Sequence, residues 1–264
     1  MSNFTPDKRP IRPDISLTEA TVNGYGFIKD NFDKLLKWAV IPIVLNFFTY
    51  FIIDWQDPGA DHLKSFLYTL PGVAAFAWYV FVQTRLQVLG EDLGNLPGDE
   101  DFQMRRRDDA VLSVGCYVLF QMTMALIAFA LSGTMDFEPG DTIETATMVR
   151  MFLGLMLIFW LLKYGVLHLI AAVDGDIRDY LSRVQGAWFS FVIVGAGFVS
   201  TLPVLLLFMF LLGFVAPDAA NGNVENSGRF AMYALGTVMS WSVITVLNAT
   251  LVDTLRQLYE GKKP

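Results

Sequence analysis

Residues 151–173 read MFLGLMLIFWLLKYGVLHLIAAV, an apolar run that is long enough to cross a bilayer yet carries Lys163 near its middle and His168 beyond it. About 20 predominantly apolar residues span the hydrocarbon core. A charge at the centre of such a segment costs on the order of 2.5–3.5 kcal/mol on insertion scales, so Lys163 needs a partner, water or a headgroup. No Asp or Glu lies in an apolar run. The polar partners there, Asn46, Gln83, Gln87, Gln121, Thr245 and Asn248, are all neutral. The counter-charge is therefore expected from lipid, ligand or another protein.

Outward from this run, five more apolar stretches cover residues 35–53, 66–89, 110–131, 187–215 and 230–252. Each passes the length test for a spanning helix. The predicted fold is all-α, a polytopic membrane protein of six transmembrane helices in three hairpins with an N-terminal interfacial helix. The run from 187 to 215 exceeds what the core requires, which predicts tilt or a bend at Pro203. Pro42 and Pro71 likewise read as bends.

Composition agrees with this class. The chain is 54% hydrophobic and 17% charged with a mean hydropathy of +0.45, against about 25% charged residues in soluble proteins. A net charge of −7 and a pI near 4.8 argue against a nucleic-acid partner, which would require clustered Lys and Arg facing phosphate. Acids flank the one basic cluster, Arg105–Arg107, on both sides. Cys116 is the single cysteine, and His62 and His168 lie in different settings, so neither a disulfide framework nor a metal site is expected. No nucleophile elbow, phosphate loop, HExxH or CxxC occurs, and no paired carboxylates lie in the apolar runs. These absences predict a non-enzymatic protein with no catalytic residue, metal or cofactor.

Residues 1–15, with Pro6, Pro10 and Pro13, read as a flexible cytoplasmic tail, and 16–264 as one six-span domain. Ser16-Leu17-Thr18-Glu19 has the form of a capping box. It opens a lead-in helix with Val22, Phe27, Phe32, Leu35 and Leu36 against a face of Lys29, Asp30, Asp33 and Lys34. Gly24 and Gly26 weaken the helical pattern. The N-terminus lacks the apolar segment and cleavage site of a signal peptide, so the first span is expected to act as its own targeting signal.

Lys and Arg counts set the orientation. Six in the N-terminal segment, four around the second loop, two at Arg178 and Arg183 and three in the tail give 15 of 19 on the side that holds both termini. The opposite side holds Lys64, Arg150 and Arg229. The positive-inside rule then predicts both termini, and Asn95, in the cytoplasm, with Gly140 and Asn221 in the periplasm of a bacterial inner membrane. Asp136, Glu138, Asp141 and Glu144 make one outer loop acidic, but EF-hand spacing is missing. A solvated loop is the expectation. The inner loop GEDLGNLPGDEDFQMRRRDDA, residues 90–110, is expected at headgroup level.

Trp78, Trp160 and Trp241 recur 82 and 81 residues apart in the second, fourth and sixth runs, which invites a repeat of three hairpins. Val22-Asn23-Gly24 and Val184-Gln185-Gly186 precede the first and fifth runs in similar register, and each run then holds a proline. Counting along the even helices places each Trp on one face with Arg85, Lys163 or Asn248. Those three and His168 are the candidate ligand or partner contacts. Each has a bland alternative: Arg85 snorkels, His168 packs, Asn248 bonds a neighbouring helix. Lys163 lies ten residues, about 15 Å, from the end of its run, too far to snorkel alone. Gln83 and Gln87 read as interhelical hydrogen bonders, and the small-residue pairs Ala196/Ser200, Gly197/Thr201 and Gly236/Ser240 as close packing between the fifth and sixth spans.

The lead-in helix with Asn31, the following Ile41-Pro42, the later Val184-Gln185-Gly186-Ala187-Trp188 and the closing Leu255-Arg256-Gln257-Leu258-Tyr259 resemble a group of bacterial inner-membrane proteins. This group is the six-span membrane domain attached to some glycerophosphodiester phosphodiesterases, with its stand-alone YciC-like relatives. The resemblance implies location and architecture. The catalytic barrel of the fused enzymes is missing here, so no catalytic residue carries over. The functional expectation is a scaffold or accessory subunit in envelope or lipid physiology, in contact with membrane lipids and with a membrane-protein partner or a second copy. The alternative is a transporter or permease subunit for a small or lipidic anionic solute near Lys163.

Overall fold

The computed structural model describes residues 15–56, 62–132, 145–215 and 226–260. The proline-rich N-terminus, the acids from Asp136 to Glu144, Gly140, Asn221 and the tail lysines lie outside the described residues. The structure is 92% helical, with no strand among the described residues. Its helices are α1 (Leu17–Gln56), α2 (His62–Leu89), α3 (Glu100–Ser132), α4 (Thr145–Leu161), α5 (Leu167–Ala172), α6 (Ile177–Arg183), α7 (Trp188–Val215) and α8 (Asn226–Glu260). Six helical segments are long and apolar enough to cross a membrane, the fourth formed by α4 and α5 together with the turn between them. Phe191, Phe198, Met209, Phe210 and Phe214 of α7 are each more than 60% exposed. In water such a stripe would be a large exposed patch, whereas in a bilayer it faces a solvent of its own polarity.

The lead-in segment and first span form one helix, α1. Ser16 caps it as the sequence predicts: its Oγ accepts from Glu19 N at 3.3 Å and its carbonyl from Ala20 N at 3.0 Å. A kink lies at Asn31 (φ −119°, ψ 16°), and Pro42 lies inside the helix that follows it. Asn31 Nδ2 donates to Phe27 O at 3.0 Å, so its amide takes a carbonyl of the preceding turn, the local competition with the helix ladder expected of asparagine.

Helix α8 packs antiparallel against α1, parallel to α2 and against α7, and adds Trp241, Leu251, Val252, Leu255 and Leu258 to the core. Pairings run from Ser16 N with Gln257 Oε1 at 2.8 Å to the ring contacts Phe32–Trp241 and Phe47–Phe230. Gly24 is the point of closest approach. A Cβ there would lie 3.0 Å from both the backbone N and Oγ1 of Thr250. The glycine that weakens the helical pattern in sequence thus lets two backbones meet. Gly24→Val is expected to lower stability by about 1–3 kcal/mol through overpacking, read as a lower thermal midpoint in detergent. The sequence places tight packing between α7 and α8 instead. Ala196 and Ser200 are buried there, but a Cβ at Gly236 would meet nothing within 4 Å.

One apolar-run boundary needs correction. The fourth run forms a single span, Thr147–Ala172, in which α4 and α5 are joined by a 3₁₀ stretch at Leu162–Val166. The sixth run does not end at Val252, since α8 continues to Glu260 and buries Asp253. A helix long enough to span therefore does hold a buried carboxylate. Asp253 Oδ2 accepts from Asn23 Nδ2 at 3.2 Å and Gln257 Nε2 at 3.1 Å, and these amide donors offset its desolvation. Of the three hairpins, α1/α2 and α7/α8 pack along their lengths. The middle one is held to α3 chiefly through α5, with α4 touching it lightly. Trp241 is buried while Trp160 is 45% exposed, so the recurring tryptophans do not occupy equivalent places.

On the side of the termini, Lys34 Nζ lies 2.7 Å from Asp92 Oδ2. Lys34, followed by the Gly94 N–H, holds the Asp92 carboxyl below its usual range. A depressed pKa makes the stabilising contribution full above the ordinary carboxylate value and lost as pH falls through the folded one. A pair this exposed is worth about 0–1 kcal/mol. Asp92→Asn should accordingly lower the thermal midpoint slightly at neutral pH, and less with added salt or at acid pH.

Candidate functional site

Lys163 sits within the fourth span, in its 3₁₀ stretch Leu162–Val166. Its side chain is buried, with Nζ donating to the Gly186 carbonyl at 3.0 Å. The ammonium also lies 4.6 Å from the ring centroid of Trp160 and 5.3 Å from that of Tyr164. The chain that follows folds back beneath it through the turn at Asp174 and Gly175, α6 and the loop to α7. Gly186 has φ +77°, a conformation that glycine reaches at little cost, and this aims its carbonyl at the lysine. Tyr180 of α6 completes the clasp by donating its hydroxyl to the Lys163 carbonyl at 2.5 Å. Burial pushes the Tyr180 phenol up from its usual range, which keeps it a donor. The described partners of Lys163 are thus a carbonyl and two rings of its own chain.

His168, on α5, is buried, and its Nδ1 lies 2.6 Å from the Gly165 carbonyl. A carbonyl only accepts, so Nδ1 carries the proton. Tyr117 of α3 stands edge-on to the imidazole at 5.0 Å, and Ser113 Oγ donates to the His168 carbonyl at 2.8 Å. These contacts lock the ring between α3 and α5. Tyr164, one turn before His168, packs edge-on against Trp160 at 5.2 Å.

Arg85 is the most heavily engaged of the four. Nε and Nη2 meet the two Glu91 carboxylate oxygens at 2.6 and 2.5 Å, and Nη1 reaches Asp109 Oδ2 at 2.6 Å and Ala172 O at 2.8 Å. Its side chain is 7% exposed, those of Glu91 and Asp109 14% and 15%. Arg106 joins from α3 at 3.5 Å from Glu91, and both guanidiniums lie 5.5 Å from the Phe81 ring. The local reason is a helix stop. Gly90 at φ +69° donates to Leu86 O at 3.1 Å and ends α2 in a left-handed cap. The cap turns Glu91 back onto the helix it has just left. The same guanidinium takes a last-turn carbonyl of α5, where a cation is favoured by the helix dipole. Arg85 therefore ties α2, α3 and α5 together and does not snorkel into open headgroups.

Asn248 lies on a polar seam between α2 and α8, with Nδ2 at 3.4 Å from Thr84 Oγ1. Along this seam Tyr79 OH shares a hydrogen bond with Thr245 Oγ1 at 2.9 Å, Gln83 Nε2 donates to Thr245 O at 2.8 Å, and Gln87 Nε2 to Ala249 O at 2.9 Å. The fourfold spacing of residues 79, 83 and 87 puts them on one helix face, so the amides bridge successive turns of α8. Oε1 of both glutamines is buried without a partner, so the seam is not a fully satisfied network.

The four residues do not converge on one cavity. Arg85 reaches the last turn of α5 from α2, His168 lies on α5 against Tyr117 of α3, Asn248 faces α2, and Lys163 faces the loop before α7. Sequence reasoning missed Glu91, Asp109 and Asp253, all just beyond apolar runs. The glycine stop of Leu89-Gly90-Glu91 was a legible signal for the first. No family model, curated protein or solved structure matches the chain.

Proposed function

We propose that this integral membrane protein is a non-enzymatic scaffold or accessory subunit of the bacterial inner membrane, acting in envelope or lipid physiology, with both termini in the cytoplasm. The observation that carries the reading is that Arg85, Lys163, His168 and Asn248 each bond a different part of their own chain. Groups held this way hold helices together and leave no convergent cluster for a solute. The Lys and Arg asymmetry supports the orientation, and the six-span layout supports the likeness to the membrane domain of the phosphodiesterase group.

Reconstitution in liposomes separates the scaffold from a transporter. A scaffold predicts flux of small anions and of fluorescent phospholipid no greater than in empty vesicles. Flux above that background, abolished by Lys163→Met, would favour a transporter. Reporter fusions at Asn95, Gly140, Asn221 and the C-terminus test the orientation, and a periplasmic C-terminal signal would reject it.

A further inference from the structure

A cleft of about 510 Å³ opens between the last turns of α2, α5 and α8, on the side of the termini. This volume falls within the range of about 300–1,000 Å³ typical of small-molecule sites. It exists because α5 is a single short helix ending at Ala172, where Arg85 fixes it, while α8 continues to Glu260 with nothing from α5 alongside. Val88, Ile170, Val173 and Val252 give the cleft an apolar wall, and Arg256, Tyr259 and Glu260 lie at its rim.

The rim is the informative part. Arg256 has carboxylate neighbours at Asp253 and Glu260, both 3.9 Å away and beyond hydrogen-bonding distance, and its Nη2 is 3.4 Å from Gln87 O. Contrast Arg85, whose fork is filled at 2.5–2.8 Å. Nη2 donates to the Gln87 carbonyl, but the Arg256 side chain is 44% exposed and Nε and Nη1 have no carboxylate within hydrogen-bonding distance, so these donors remain open to an incoming acceptor. Arg183, paired with Asp179 at 2.9 Å, stands over the Tyr259 ring at 4.7 Å and covers one side of the mouth. An apolar wall under an open guanidinium, at the end of spanning helices, matches an amphiphile with a phosphate above a hydrocarbon chain. A free anion has no use for the wall, and a bare hydrocarbon none for the fork.

We propose that the cleft binds one phospholipid of the leaflet on the termini side, with an acyl chain between α5 and α8 and its phosphate on Arg256. This deepens the lipid-linked part of the proposed function, and the flux measurement above can fail without touching it.

The test uses the full chain, delipidated in mild detergent and titrated with phosphatidylglycerol by native mass spectrometry. Two variants are compared, each checked for an unchanged thermal midpoint: Val88→Trp, which fills the cleft from a position already 40% exposed, and Arg256→Gln, which removes the fork. Each should weaken a 1:1 complex about tenfold, the scale of one lost charged contact. If one variant misfolds, the other alone decides whether the site exists. Binding unchanged by Val88→Trp means lipid on the general surface and overturns the site. Loss with Val88→Trp but not Arg256→Gln overturns the phosphate assignment, as does oleate binding as tightly as phosphatidylglycerol. Competition by inorganic phosphate at equal strength overturns the acyl-chain assignment.

Discussion

Arg85→Met should lower the unfolding free energy by about 3–5 kcal/mol, the usual cost of stranding buried charges by removing their partner. Asp109 loses its arginine, Glu91 keeps only Arg106 at 3.5 Å, and the last turn of α5 loses the donor on Ala172 O. Arg85→Lys should recover little, because an ammonium cannot serve both oxygens of Glu91 and reach Asp109 together. The combined Arg85→Met, Glu91→Gln, Asp109→Asn variant should regain part of the loss, since it strands neither carboxylate and leaves only Arg106 without Glu91. Thermal unfolding in detergent reads all three. A wild-type midpoint for Arg85→Met would show that the node is solvated and contributes nothing.

Lys163→Met is expected to destabilise by about 1–3 kcal/mol, the range of one charge-assisted hydrogen bond with an added ring contact. Sequence alone points the other way, because removing a charge from a continuous span relieves insertion cost. The structure reverses the sign. Lys163 lies in the 3₁₀ stretch of the fourth span, and its ammonium holds the carbonyl of a left-handed turn between α6 and α7. Methionine keeps the stem but leaves that carbonyl without its donor. Co-purified anionic lipid should not change. A higher midpoint with lost lipid would return Lys163 to the role of a headgroup ligand.

The two outcomes bear on what sequence can reveal. Periodicity and run length made the six spans legible because burial in hydrocarbon leaves a compositional mark on every residue of a span. The amide bridges at Gln83 and Gln87 were legible from their spacing. What was not legible is where a helix tightens inside an apolar run. Leu162–Val166 contains no proline, and Gly165 gives only a weak signal, yet the span turns 3₁₀ there. Gly165 packs so tightly on Phe120 that a Cβ would meet its ring at 2.7 Å. The partner of Lys163, the Gly186 carbonyl, lies 23 residues further on and leaves no mark in the run. The partner of Arg85 was hidden for a related reason: a run-based reading discards the flanking residues, and Glu91 and Asp109 are the flanks. Likewise Asp253 follows Val252 directly, but α8 continues because Asn23 and Gln257 satisfy it.

The central claim is that the polar residues between the helices hold a packed bundle and do not line a path. Cysteine accessibility measures this directly. In a Cys116→Ser background, Thr245→Cys and Asn248→Cys should resist a water-soluble, membrane-impermeant thiol reagent applied to both faces, because both positions are buried between α2 and α8. Glu260→Cys, at the exposed end of α8, should label within minutes as the control. Labelling of Thr245→Cys and Asn248→Cys at the control rate would mean that water reaches the seam, and would contradict the account.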